Sequence, residues 1–155
     1  MGRTEQYSLL SLAALGIVYW WFQMRMLDDW KIVDQPASAL FWVYLVVITA
    51  STVLEIVIAS FLAVSWRGKT AAKDERDHAI DAKASQVERV VIIAAVNVLI
   101  WQALMEGVFA HHSLPRIDLT QLPTLFFFLF TILFGGEVVK RVATLVLYRA
   151  QASRG

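Results

Sequence analysis

Four stretches of the chain are almost free of charge. Residues 6–24 carry no Asp, Glu, Lys or Arg; residues 35–66 carry only Glu55, residues 90–115 only Glu106, and residues 119–139 only Glu137. A hydrocarbon core about 30 Å thick is crossed by about 20 apolar residues at a rise of about 1.5 Å each. All four stretches are about that long or longer, so the pattern predicts an all-α protein with a four-transmembrane-helix bundle. The expected helices cover residues 8–26, 39–66, 89–109 and 123–148, in one integral membrane domain over residues 1–155. A soluble chain with four such helices would have to hide most of its surface in a partner. The first helix ends in the bulky run Tyr19-Trp20-Trp21-Phe22, and this favours an uncleaved anchor over a signal peptide.

Segment 71–89 reads differently. It has no glycine or proline and is rich in helix formers. Ile80, Ala84, Val87 and Val91 recur at helical spacing and run into the third apolar stretch. The spacing predicts one long helix 3 that extends into the cytoplasm before entering the membrane. Its charged face is either a solvated connector or a docking surface, with Asp74, Glu75, Arg76, Asp77 and Ile80 as the contacts offered to a cytoplasmic protein.

The positions of the basic residues set the expected orientation. Arg3 precedes helix one, and Arg67, Lys69, Lys73, Arg76, Lys83 and Arg89 lie between helices two and three. Lys140, Arg141, Arg149 and Arg154 follow the fourth apolar stretch, whereas the two remaining connections hold only Lys31 and Arg116, with Arg25 closing helix one. By the positive-inside rule both termini are cytoplasmic, in a bacterial or archaeal inner membrane. Asp28, Asp29 and Asp34 make the first connection acidic, and several tryptophans gather toward that side as an aromatic belt would. The net charge of +1 gives no reason to expect direct nucleic-acid binding.

Chemistry is most strongly suggested by two carboxylates. Glu55 lies 16 residues after Ala39, roughly 24 Å along helix two, and Glu137 lies 14 residues after Pro123, roughly 21 Å along helix four. Asn97, eight residues after Arg89, reaches a level roughly 12 Å from the opposite edge. The three polar groups are expected to meet. A carboxylate in hydrocarbon is costly unless protonated, paired or hydrated, and two together do not both ionise cheaply. Such a set suits a proton relay or a cation site, and hence an oligomeric proton-linked or cation channel or transporter. The competing readings are a salt bridge from Glu137 to Lys140 and Arg141, three and four residues on, and a hydrogen bond from Glu55 to a neighbouring helix. Ala59 and Ala63, or Gly135 and Gly136, offer small-residue faces for self-association.

Other templates fail. With no cysteine, thiolate zinc sites, thiol nucleophiles and disulfides are excluded. No phosphate-binding glycine loop, serine elbow or His-Glu-x-x-His helix is present, so neither an enzyme nor a cofactor is expected. Glu106, His111 and His112 are the weak candidates for a metal, but adjacent loop histidines lack the spacing that aims two rings at one ion.

The run Asp74-Glu75-Arg76-Asp77-His78-Ala79-Ile80, with Lys83 and Ala84 after it, resembles a motif of the uncharacterised DUF2178-like small prokaryotic membrane proteins. In that family an Asp-Glu-Arg-(Asp/Glu) motif precedes a transmembrane helix. The likeness covers about 25 residues and the four-helix plan. It implies a membrane-bound regulator or accessory subunit with a cytoplasmic partner, and it does not extend to Glu55 or Glu137.

Overall fold

The computed structural model describes residues 3–65, 75–108 and 117–152. It contains four long helices: α1 (Arg3–Met26), α2 (Ala37–Ser65), α3 (Glu75–Val108) and α4 (Leu122–Ala152). All four are long and apolar enough to cross a membrane, the candidate spans being Thr4–Met26, Ala37–Val64, Asp77–Met105 and Leu122–Ala150. The helical expectation therefore holds, and α3 runs unbroken over the described residues Glu75–Val108, residues 71–74 of the expected segment lying outside them. α1, α3 and α4 begin earlier or end later than their charge-free windows suggest, whereas α2 lies within its own. Hydrogen bonding continues past the last apolar residue wherever the flanking residues are good helix formers.

Local chemistry explains where the helices start. The Pro36 carbonyl accepts from the amides of Ala39 (2.9 Å) and Leu40 (3.2 Å), closing the first turn of α2. Before α4, Asp118 accepts from the Thr120 amide at 2.9 Å and from Gln121 Nε2 at 2.8 Å, as well as from the Thr120 hydroxyl. These bonds, led by the Thr120 side chain and then its amide, hold the Asp118 carboxyl below its ordinary range. Pro123 then sits near the start of α4, where its missing N–H costs nothing.

One feature departs from the all-α expectation. Between α1 and α2 the chain forms a small antiparallel hairpin, β1 (Leu27–Asp28) and β2 (Lys31–Ile32), pairing Leu27 with Ile32 and Asp28 with Lys31. Asp29 and Trp30 turn it at φ 49° and 64°, as a type I′ turn requires. Glycine or asparagine usually announces such a turn, and neither is present. Trp30 is 94% exposed at the tip.

Neighbouring helices run antiparallel, so α1 and α4 start and finish, respectively, at the end of the bundle remote from the hairpin (the terminal end). α1 packs on both α2 and α4, while α3 packs mainly on α4. The result is a row, α2–α1–α4–α3, in which α2 also touches α4. Toward the hairpin end, Phe22 and Met26 are fully buried, and Phe22 stacks among Tyr19, Phe126, Phe127, Phe130 and Phe134 at centroid distances of 5.5–6.2 Å. At the α3–α4 contact, a Cβ on Gly136 would lie 2.6 Å from Ile92 Cδ1 and Cγ1. Glycine there lets α3 close on α4. Gly136 is thus spent inside the chain rather than on a face for another copy.

Candidate functional site

Tyr7 and Ser11 stand four residues apart on α1 and so face the same way. Ser8 and Ser11 are buried, and the short Ser11 side chain lets α2 come close. Both hydroxyls, Tyr7 Oη and Ser11 Oγ, donate to the Glu55 carboxylate of α2. From α4, Arg141 Nη2 lies 3.5 Å from Glu55 Oε1 and 3.6 Å from Oε2 of Glu137, its own neighbour one turn back. The Arg141 guanidinium also covers the Tyr7 ring, 5.0 Å from its centroid. One cation therefore serves two carboxylates, and the set of three carries one negative charge in excess. Arg141 Nε is buried with no hydrogen-bond partner among the described residues.

A second tie lies alongside. Lys140 Nζ is 3.2 Å from Glu88 Oε2, joining α4 to α3. Further along the same pair of helices, Tyr148 donates to Asp77. Polar contacts thus cross the whole row of helices near the terminal end. Glu55 lies 18 residues after Ala37 and Arg141 lies 19 after Leu122, about 27 and 29 Å along their helices. That depth is close to the far edge of a 30 Å hydrocarbon layer. Between α1 and α2 a small crevice opens beside Glu55, lined by Ala14, Leu15, Val18, Ser51 and Leu54. It has room for about one water molecule.

Set against the sequence expectations, Glu55 and Glu137 are brought together, and the agent is Arg141. Asn97 is not with them. It is exposed on α3, where its Nδ2 donates to the Ile93 carbonyl one turn back at 2.7 Å. α3 reaches the row through α4, while Glu55 projects from α2 on the opposite flank. The Glu55–Arg141 pair was not legible along the chain because 86 positions separate the two residues. Tyr7 and Ser11 were missed too, although with Ser8 they form a polar stripe beside the apolar run of α1.

The expected docking residues fare unevenly. Ile80 is only 1% exposed and Ala84 is fully buried, so Ile80 serves packing within the chain and is not open to a cytoplasmic partner. Asp77 is engaged by Tyr148. Asp74 lies outside the described residues, as do the side chains of Glu75 and Arg76. The metal candidates Glu106 (its side chain), His111 and His112 also lie outside them. Among the described residues no group of three or more histidine and carboxylate side chains is placed to hold a metal ion. Comparison with protein-family models, curated proteins and solved structures found no match to this chain.

Proposed function

We propose that this chain is a proton-linked or cation-conducting protein of a bacterial or archaeal inner membrane, with both termini cytoplasmic. The observation that carries the reading is the sharing of Arg141 between Glu55 and Glu137, at 3.5 and 3.6 Å. Two carboxylates competing for one guanidinium near the hydrocarbon edge are short of one positive charge. A proton or a monovalent cation supplies it. When either carboxylate is neutralised, Arg141 turns fully to the other, which couples occupancy of the site to the contact between α2 and α4. The crevice beside Glu55 has room for about one water next to that carboxylate. A role as a regulator docking through residues 71–89 has less support, since Ile80 and Asp77 are already committed within the fold.

Reconstituted liposomes provide the test. A pH or cation gradient should drive flux through the wild-type protein, and Glu55→Gln should abolish it while the protein still folds. Absence of flux in the wild type, or equal flux in Glu55→Gln, overturns the reading.

A further inference from the structure

The face of α3 turned away from α4 carries a repeat of its own. Val87, Val90, Ala94, Asn97, Trp101 and Leu104 alternate at separations of three and four residues, and all six are exposed. That is a seven-residue seam, the spacing by which two helices pack along their length. The opposite face, with Ile80, Ala84, Glu88 and Ile92, is the one committed to α4.

Five members of the seam are apolar and would be content against lipid. Asn97 would not. It lies within the candidate span Asp77–Met105, eight residues from its far end, and among the described residues its one hydrogen bond runs to its own helix. A primary amide has two N–H donors and a carbonyl acceptor, so one donor and the acceptor remain unserved. Lipid tails supply neither partner, and leaving such groups unmet in hydrocarbon is costly. A second copy related by a two-fold axis supplies both, because Asn97 then meets Asn97 and each amide donates to the other. Ala94, on the same seam one turn away, is small enough to let the two helices approach. We infer that two copies of this chain associate in parallel through the Val87–Leu104 seam of α3, with paired Asn97 amides setting the register.

The absence of native cysteine makes the seam directly readable. Single cysteines are placed in the full chain, in liposomes at low protein-to-lipid ratio, and oxidised. Val90→Cys, Ala94→Cys and Leu104→Cys should give covalent dimer at least tenfold faster than Ile93→Cys, Val98→Cys or Ile100→Cys, which flank the seam. Adding Asn97→Leu to Ala94→Cys should slow the reaction about tenfold, the scale of an interhelical amide bond in a membrane. Equal rates at seam and flank, faster dimer formation at Phe61→Cys on α2, or indifference to Asn97→Leu would overturn the inference. Those results would assign this face of α3 to lipid.

Discussion

The two ends of the α1–α4 contact are built on different physics. Toward the hairpin, Phe22 is enclosed by the rings of α4 and Met26 is buried in the same cluster, with Tyr44 of α2 edge-on to Phe130 at 5.9 Å. Toward the termini the same two helices meet through Tyr7, Ser11 and Arg141, with Glu55 as the shared acceptor. In a bilayer, apolar association gains little from leaving lipid, so the aromatic end is held by close packing of rings and shape. The polar end is held by charges that have few other partners at that depth. The first contact contains no ionisable side chain that pairs, whereas the second is an ion pair bridged by hydroxyls.

The largest expected effect tests the polar end. Arg141→Leu strands two carboxylates, and breaking a largely buried ion pair from one side costs about 4 kcal/mol. Unfolding titrations in mixed micelles should show that loss, with much of it recovered when Glu55→Gln is added. Next, Phe22→Ala should cost about 3 kcal/mol, toward the lower end of the range for buried aromatic truncation because lipid is as apolar as the ring. Adding Glu55→Gln should recover nothing of it, whereas equal recovery in Phe22→Ala and Arg141→Leu would erase the distinction between the ends. Tyr7→Phe keeps the ring beneath Arg141 but removes a hydroxyl donor to a carboxylate, a loss of about 1.5 kcal/mol. If Tyr7→Phe is silent in the same titration, Glu55 is held by Ser11 and Arg141 alone.

The hairpin offers a smaller effect of opposite sign. Trp30 occupies a backbone region that suits glycine, so Trp30→Gly should relieve about 1 kcal/mol of strain, partly offset by the greater freedom of glycine when unfolded. The smallest effect concerns Asp118, whose folded carboxyl is held below 3.8 by its bonds to Thr120 and Gln121. A depressed acid contributes stability above its unfolded value and loses it as pH falls through the folded one. Carbon-13 titration of Asp118 should therefore give a midpoint below 3.8, returning toward the ordinary range in Thr120→Ala.

Much of the architecture was readable from residue order, and particular residues show why. Four windows with at most one charge each predicted four helices because lipid accepts only segments that satisfy their own backbone. The continuity of α3 followed from unbroken helix formers before Arg89. The hairpin was invisible because Trp30 is an unusual residue for positive φ, and the pairing of Leu27 with Ile32 and Asp28 with Lys31, not its own preference, holds the exposed turn there. Asn97 was assigned to the wrong neighbourhood for a different reason. Its depth was computable from helix rise, but depth says nothing about which way round the row of helices it points.

Residue order alone determined that this is an α-helical chain of membrane-spanning length, that carboxylates are carried within its apolar stretches, and where along each helix they fall. Those properties depend on rise per residue and on the cost of charge in hydrocarbon, both of which act locally. Only the tertiary structure decided that Glu55 is not solitary, that Arg141 stands between it and Glu137, and that Asn97 faces away from both. Lateral order and helix rotation arise from contacts such as Gly136 on Ile92 and Phe22 among the rings of α4, between residues far apart in the chain. No periodicity within a single helix records them.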